Sequence, residues 1–148
     1  MGIRKQMLIV SACLAGIECK YNSTGAKDDK VVGLVAQGEA IPLCPEQLGG
    51  LSTPRPRAKI IGGDGEDVLI GKAKVKTEDG NDVTQNFIKG AKETLKISKL
   101  VGAKQAILKS RSPSCGCGKI YNEGDELISG DGVCASLLKQ NGIRVESI

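Results

Sequence analysis

A chain of 148 residues with 40% apolar residues can fill a sizeable core, and its length fits one domain over residues 1–148. The net charge of +4 comes from interspersed charges, and the chain has only two Tyr, one Phe and no Trp, which argues against a base-stacking surface for nucleic acid. No apolar run approaches the ~18 residues of a membrane span. We therefore expect a small-molecule partner, neither nucleic acid nor membrane; the oligomeric state is not indicated.

The chain has six cysteines and no histidine. The N-terminal residues have no secretory signal, which predicts a cytoplasmic protein whose thiols stay reduced. The cysteines are then expected to be ligands, catalysts or core residues rather than disulfides. Without imidazole, a soft-metal site must be built from cysteine, and proton transfer must use carboxyl, thiol, hydroxyl or amine groups.

The first half of the chain predicts two strands, a helix and a hairpin. Residues 6–13 form a continuous apolar run typical of a strand buried on both faces. Residues 27–38 have apolar positions and leading acids typical of a short helix, and residues 39–44 predict a second, shorter strand. Two alternating segments predict a hairpin-like excursion over residues 58–77, with a turn at 63–67.

The second half alternates helices with strands. We expect Asn81 or Asp82 to cap the longest helix and a residue near Asp131 to cap the last one. This alternation predicts an α/β fold, a Rossmann-like or flavodoxin-like three-layer sandwich with a mainly parallel sheet of core order 2-1-3-4. The elements are a helix (residues 81–103), the third core strand (104–109), a helix (130–142) and the fourth core strand (143–148).

Three cysteines follow predicted core strands: Cys13, Cys44 and Cys115. Because ligands of open parallel sheets bind beyond the carboxyl ends of the strands, we expect these thiols to lie together; the alternative is three separate core cysteines. The Cys-x-x-Cys pairs usual in structural zinc sites are absent. A three-thiolate 4Fe-4S cluster would leave one iron open. The pattern leaves cluster and metal ion open, and the lack of histidine favours iron and sulfur.

Six segments resemble, in order, a bacterial family of domains of unknown function that includes the iron–sulfur-dependent thiouracil desulfurases. The resemblance covers nearly the whole chain, and its most specific segments are CPEQLGGL with TPRP, and SPSCG. The segments are SACLAG (11–16), CKYN (19–22), LCPEQLGGLSTPRP (43–56), GNDVTQNFIKGA (80–91), LKSRSPSCG (108–116) and GDGVCASLL (130–138).

The resemblance implies an α/β fold and a 4Fe-4S cluster bound by Cys13, Cys44 and Cys115. It implies that the fourth iron accepts the sulfur of a thiolated small molecule. It also places the family's active-site acid at Glu46 and its site serine at Ser112. The substrate is not fixed by the resemblance, because desulfurase activity is implied by a subset of the family.

Further residues are candidates for the surroundings of cluster and substrate. Polar groups of the loop after the third core strand could donate hydrogen bonds to the cluster or the substrate. Alternatively, they could only make the hydrogen bonds of a turn. A basic stretch at residues 55–59 could face an anionic substrate group or solvent. The candidates are Ser114, Gly116, Cys117, Cys19, Arg55 and Asp82, the last of which could be only a helix cap.

Two functions follow from the sequence. The first is desulfuration of a thiolated nucleobase or related heterocycle, with Glu46 and Ser112 as catalytic residues. The alternative is a non-catalytic module that binds a cluster or metal, or senses redox state through Cys115 and Cys117. Cys134 lies on the apolar side of a predicted helix, and we expect it in the core.

Overall fold

The computed structural model describes residues 6–148. The first strand is followed by a 3-10 helix, Ala12–Ala15. No helix in this part of the chain is both long and apolar enough to cross a membrane. In chain order the other elements are β1 (Leu8–Ser11), α1 (Asp29–Ala36), β2 (Ala40–Leu43), α2 (Pro45–Leu48), β3 (Ala58–Ile61), α3 (Gly65–Leu69), β4 (Lys74–Thr77), α4 (Thr84–Leu100), β5 (Gln105–Leu108), β6 (Lys119–Tyr121), β7 (Leu127–Ser129), α5 (Val133–Gln140) and β8 (Arg144–Ser147).

Four parallel strands form the central sheet in the order β2-β1-β5-β8. Strand β1 pairs on one side with β2, where Ser11 lies opposite Leu43, and on the other with β5, where Val10 lies opposite Ile107. The predicted α/β class and the core order 2-1-3-4 are therefore confirmed, with β5 and β8 as the third and fourth core strands.

Helices cover both faces of this sheet. Ile9 belongs to the larger apolar cluster, which includes Phe87 of α4 and Leu138 of α5. The next residue, Val10, belongs to a second cluster with Val31 of α1. Because successive side chains of a strand point to opposite faces, a continuous apolar run is what a strand between two layers of helices needs.

Two antiparallel hairpins accompany the sheet. Strands β3 and β4 pair with Ala58 opposite Thr77, which confirms the predicted excursion over residues 58–77. The turn predicted at residues 63–67 was wrong, because helix α3 begins there. The Asp64 carboxylate accepts from the Asp67 N–H, and the Asp67 carboxylate accepts from the Asp64 N–H, so the two acids cap the helix reciprocally. The second hairpin, β6–β7, was not predicted.

The predicted N-cap of α4 needs correction, whereas α5 begins near Asp131 as predicted, although the Asp131 side chain does not cap it. Helix α4 begins at Thr84 with Val83 as N-cap, and the Asp82 carboxylate accepts from the Thr84 N–H at 2.9 Å. Helix α5 has Gly132 as its N-cap. The Asp131 carboxylate instead accepts from the Gly118 N–H at 2.7 Å, so it supports a neighbouring loop rather than the helix.

Two glycines allow α2 to lie directly against α4. A Cβ added at Gly90 would lie 1.9 Å from the carbonyl oxygen of Pro45, and one added at Gly49 would lie 2.0 Å from that of Asn86. The Asn86 side-chain amide also donates to the Gly49 carbonyl at 2.9 Å. Because Cys44 is the N-cap of α2, this close packing also fixes the position of Cys44.

We predict that Gly90→Ala lowers the free energy of unfolding by about 2 kcal/mol or more, since the methyl group collides with backbone that cannot move freely. The control is Gly33→Ala in α1, where no atom lies within 4 Å of an added Cβ. That substitution should raise the free energy of unfolding by about 0.5–1 kcal/mol. Urea unfolding measures both, and equal effects of the two substitutions would contradict the packing argument.

Candidate active site

A cavity of about 350 Å³ lies at the carboxyl ends of β1, β2 and β5. Its lining includes Cys13, from the 3-10 helix after β1, and Cys44, which directly follows β2. Cys115, from the loop after β5, also lines it. The structure therefore brings together three thiols that lie 31 and 71 residues apart in the sequence.

The loop that carries Cys115 is a tight turn. The Cys115 N–H donates to the Ser112 hydroxyl oxygen at 2.7 Å, and the Gly116 N–H donates to the Ser112 carbonyl at 2.9 Å. A Cβ at Gly116 would lie 2.7 Å from that same carbonyl oxygen, so a larger residue would force the turn open. The glycine and the serine hydroxyl together set the direction in which Cys115 leaves the loop.

The N-terminus of helix α5 holds this loop by backbone hydrogen bonds. The Val133 N–H donates to the Pro113 carbonyl at 2.8 Å, and the Cys134 N–H donates to the Ser114 carbonyl at 2.9 Å. These are N–H groups of the first helical turn, which have no partner inside the helix. The loop backbone therefore takes the place of a capping side chain. Cys134 is 1% exposed, which confirms the prediction that it is a core residue.

Cys19 is a fourth thiol at the cavity and is 2% exposed. A hydrogen bond from Cys19 lowers the pKa of Cys13, and the same bond raises the pKa of Cys19 to about 11. A further bond with Cys19 raises the pKa of Cys44, and burial adds to that rise. Burial raises the pKa of Cys115 to about 11. Cys44 Sγ also donates to the Cys19 carbonyl at 3.9 Å, so Cys19 interacts with both of its neighbouring thiols.

Thiols are the only soft-metal ligands that the described lining of this cavity offers, since the chain has no histidine. All six cysteines are free. Among the described residues 6–148, no three His, Cys, Asp or Glu side chains form a group that could hold a single metal ion. A zinc ion requires each sulfur at ~2.3 Å from one point. In a cubane the thiolates bind different irons, so three thiols around a shared cavity fit a 4Fe-4S cluster.

Glu46 and Arg55 form a buried ion pair beside the thiols. Arg55 Nε lies 3.2 Å from Glu46 Oε1, and the two side chains are 5% and 17% exposed. Burial raises the pKa of Glu46, and the nearby guanidinium partly offsets that rise. Arg55 also donates to the Cys19 carbonyl at 2.9 Å and to the Ser52 carbonyl at 3.1 Å. One guanidinium therefore ties the acid to the loop that carries Cys19.

Seven of the predicted site residues line the cavity, and four do not. Ser114 is buried, and its hydroxyl oxygen lies 3.4 Å from Cys115 Sγ, within hydrogen-bonding distance of the thiol. Cys117 Sγ lies 3.8 Å from the Val145 carbonyl of β8. Asp82 is exposed at the start of α4, and Gly116 closes the turn around Cys115. The lining residues are Cys13, Cys19, Cys44, Glu46, Arg55, Ser112 and Cys115.

Sequence reasoning missed several side chains of the lining, among them Ser11, Tyr21 and Tyr121. The Ser11 hydroxyl accepts from the Lys109 N–H at 2.9 Å, and it lowers the pKa of Cys115 against the larger effect of burial. A polar residue at the end of an otherwise apolar strand was the signal for it. Tyr21 lies inside the segment CKYN, which carried part of the family resemblance. No local sequence pattern indicated Tyr121, because it belongs to the β6–β7 hairpin, which was not predicted.

We predict that Arg55→Met lowers the free energy of unfolding by about 2–4 kcal/mol, because it leaves the Glu46 carboxylate buried without its partner. The double variant with Glu46→Gln should lose less than the sum of the two single losses. Lys96→Met is the control, since Lys96 pairs with Glu93 at 3.3 Å but is 67% exposed, and it should change stability by under ~0.5 kcal/mol. If the double variant lost the sum of the two single losses in the free energy of unfolding, Arg55 and Glu46 would not be coupled.

Comparison with known proteins agrees with the resemblance seen in the sequence. The family model for 2-thiouracil desulfurase matches residues 8–147. The uncharacterized protein YbbK of Bacillus subtilis (strain 168) is 52% identical over 143 residues, which cover 95% of each chain. A solved structure of the [4Fe-4S]-dependent thiouracil desulfidase TudS is 39% identical, with a TM-score of 0.84 and coverage of 97% of this chain and 91% of that one. The chain belongs to the 2-thiouracil desulfurase family.

Proposed function

We propose that this protein removes sulfur from a thiolated nucleobase or related heterocycle, with a 4Fe-4S cluster held by Cys13, Cys44 and Cys115. The observation that carries the proposal is the meeting of these three strand-end thiols at one cavity. Family membership and the similarity to a [4Fe-4S]-dependent thiouracil desulfidase support it. The net reaction exchanges the thiocarbonyl sulfur for the oxygen of water and releases hydrogen sulfide.

The cofactor and the cavity both suit a small substrate. Cys13, Cys44 and Cys115 would hold a cubane with one iron free of protein ligands, and that iron would supply a Lewis acid for a thiocarbonyl sulfur. The cavity volume of about 350 Å³ is at the lower end of pockets that hold small molecules, roughly 300–1,000 Å³. A single heterocycle is therefore the expected size of substrate.

Glu46 is the proposed proton donor and base. Its carboxyl group is held at the cavity by Arg55 at 3.2 Å, so it has a fixed position from which to activate water or protonate a ring nitrogen. Without histidine in the chain, a carboxyl group is the natural choice for this role. Ser112 is the proposed positioning hydroxyl: its oxygen accepts from the Cys115 N–H, and its own proton remains to be donated to substrate.

The alternative, a redox module based on Cys115 and Cys117, has less support. Cys117 does not line the cavity, and its sulfur lies 3.8 Å from the carbonyl oxygen of Val145. The single domain and the cytoplasmic location stay predictions from the sequence.

We predict that replacing Cys13, Cys44 or Cys115 by Ser removes most of the iron bound after anaerobic reconstitution, because each change deletes a proposed ligand. Cys117→Ser is the matched control, since it alters a thiol of the same loop that lies outside the cavity. Iron and sulfide analysis with the visible absorption spectrum measures the loss. Full iron content in any of the three ligand variants would contradict the assignment.

We predict that Glu46→Gln and Ser112→Ala each reduce turnover of 2-thiouracil by about 10²–10⁴-fold, the usual contribution of acid–base and positioning groups. The cluster absorption should persist, since neither residue is a proposed ligand and Ser112→Ala keeps the bond from the Gly116 N–H to the carbonyl of residue 112, which closes the Cys115 turn. Hydrogen sulfide release under anaerobic conditions measures turnover. Retention of full activity in either variant would show that the residue is not catalytic.

A further inference from the structure

Aromatic side chains are scarce in this chain, and their distribution is uneven. The sequence contains two Tyr, one Phe and no Trp. Phe87 is 2% exposed and lies in the apolar core between α4 and the sheet. Both tyrosines, Tyr21 and Tyr121, line the cavity that holds the thiols. Every aromatic ring available to a bound molecule is therefore at this cavity.

The two rings come from segments 100 residues apart, and each is held by neighbours of the site. The Tyr21 carbonyl accepts from the Arg55 N–H at 2.8 Å, which joins the Tyr21 loop to the residue that pairs with Glu46. Tyr121 is the last residue of β6 and lies opposite Leu127 of β7. A backbone bridge between Arg111 and Ile120 joins this hairpin to the loop that carries Cys115.

One face of Tyr121 is already occupied. The guanidinium carbon of Arg57 lies 5.3 Å from the centre of the Tyr121 ring, a cation–π contact. Arg57 is itself held by Asp125 at 2.8 Å, and Lys59 binds the same carboxylate at 2.9 Å. Arg57 thus holds the Tyr121 ring in place, and both side chains belong to the lining of the cavity.

We propose that Tyr21 and Tyr121 are the specificity-determining residues of this site, which select planar heterocycles by contact with the ring. The inference rests on the proposed function, because it assigns the residues that recognise the non-sulfur part of that substrate. Stacking of a base on an aromatic side chain is favourable and tolerant of substituents. The site therefore accepts several thiolated heterocycles of similar size and discriminates against thiocarbonyl compounds without a ring.

The test compares Tyr21→Leu and Tyr121→Leu with Tyr21→Phe and Tyr121→Phe in cluster-loaded protein. The leucine variants should raise the KM for 2-thiouracil about tenfold or more and change kcat little, whereas the phenylalanine variants should stay near the wild type. Calorimetric binding of uracil, which has the ring but no thiocarbonyl sulfur, should weaken by a similar factor. Iron content should be unchanged, and Ile17→Ala, at a 52% exposed residue outside the cavity lining, is the surface control.

The outcomes separate this inference from the proposed function. Leucine variants that bind uracil as tightly as the wild type overturn the role of the tyrosines, as does a wild type that does not bind uracil. Phenylalanine variants as weak as the leucine variants overturn ring contact as the cause. A wild type that binds uracil but releases no sulfide from 2-thiouracil refutes the proposed reaction, while the uracil titrations still decide the tyrosines.

Discussion

The parallel pairing of β1 with both β2 and β5 is the constraint on which the rest of the site depends. Ser11 lies opposite Leu43 on one side, and Val10 lies opposite Ile107 on the other, so three strands end at the same edge of the sheet. A thiol placed just beyond each end must then face its neighbours, whatever the distance along the chain. A change in the register of either pair would separate the thiols and remove the cavity.

Hydrogen bonds and close packing then fix what the sheet brings together. The glycine contact between α2 and α4 sets the position of Cys44, and the first turn of α5 holds the Cys115 loop by its backbone. Arg55 joins Glu46 to the carbonyl of Cys19. The site is thus built mostly from buried backbone and ion-pair contacts, which suits a chemistry that needs a fixed acid next to a fixed cofactor.

Much of this architecture could be predicted from the sequence. Continuous apolar runs identify buried strands, and their alternation with helices predicts a parallel sheet, so the three cysteines could be placed at its carboxyl edge. The start of α5 near Asp131 could be predicted, but its capping partners could not, since loop carbonyls brought by tertiary contacts satisfy its first N–H groups. The β6–β7 hairpin has three residues in each strand, too few for a clear alternation, and so Tyr121 was missed.

The most direct test of the account is Mössbauer spectroscopy of anaerobically reconstituted protein, recorded with and without 2-thiouracil. A cluster held by three cysteines should give a 4Fe-4S spectrum in which one iron site differs from the other three. That site alone should change when the thiolated base is added. A mononuclear iron, or a cluster whose four iron sites are equivalent and unchanged by the base, would contradict a three-cysteine cluster that binds the substrate.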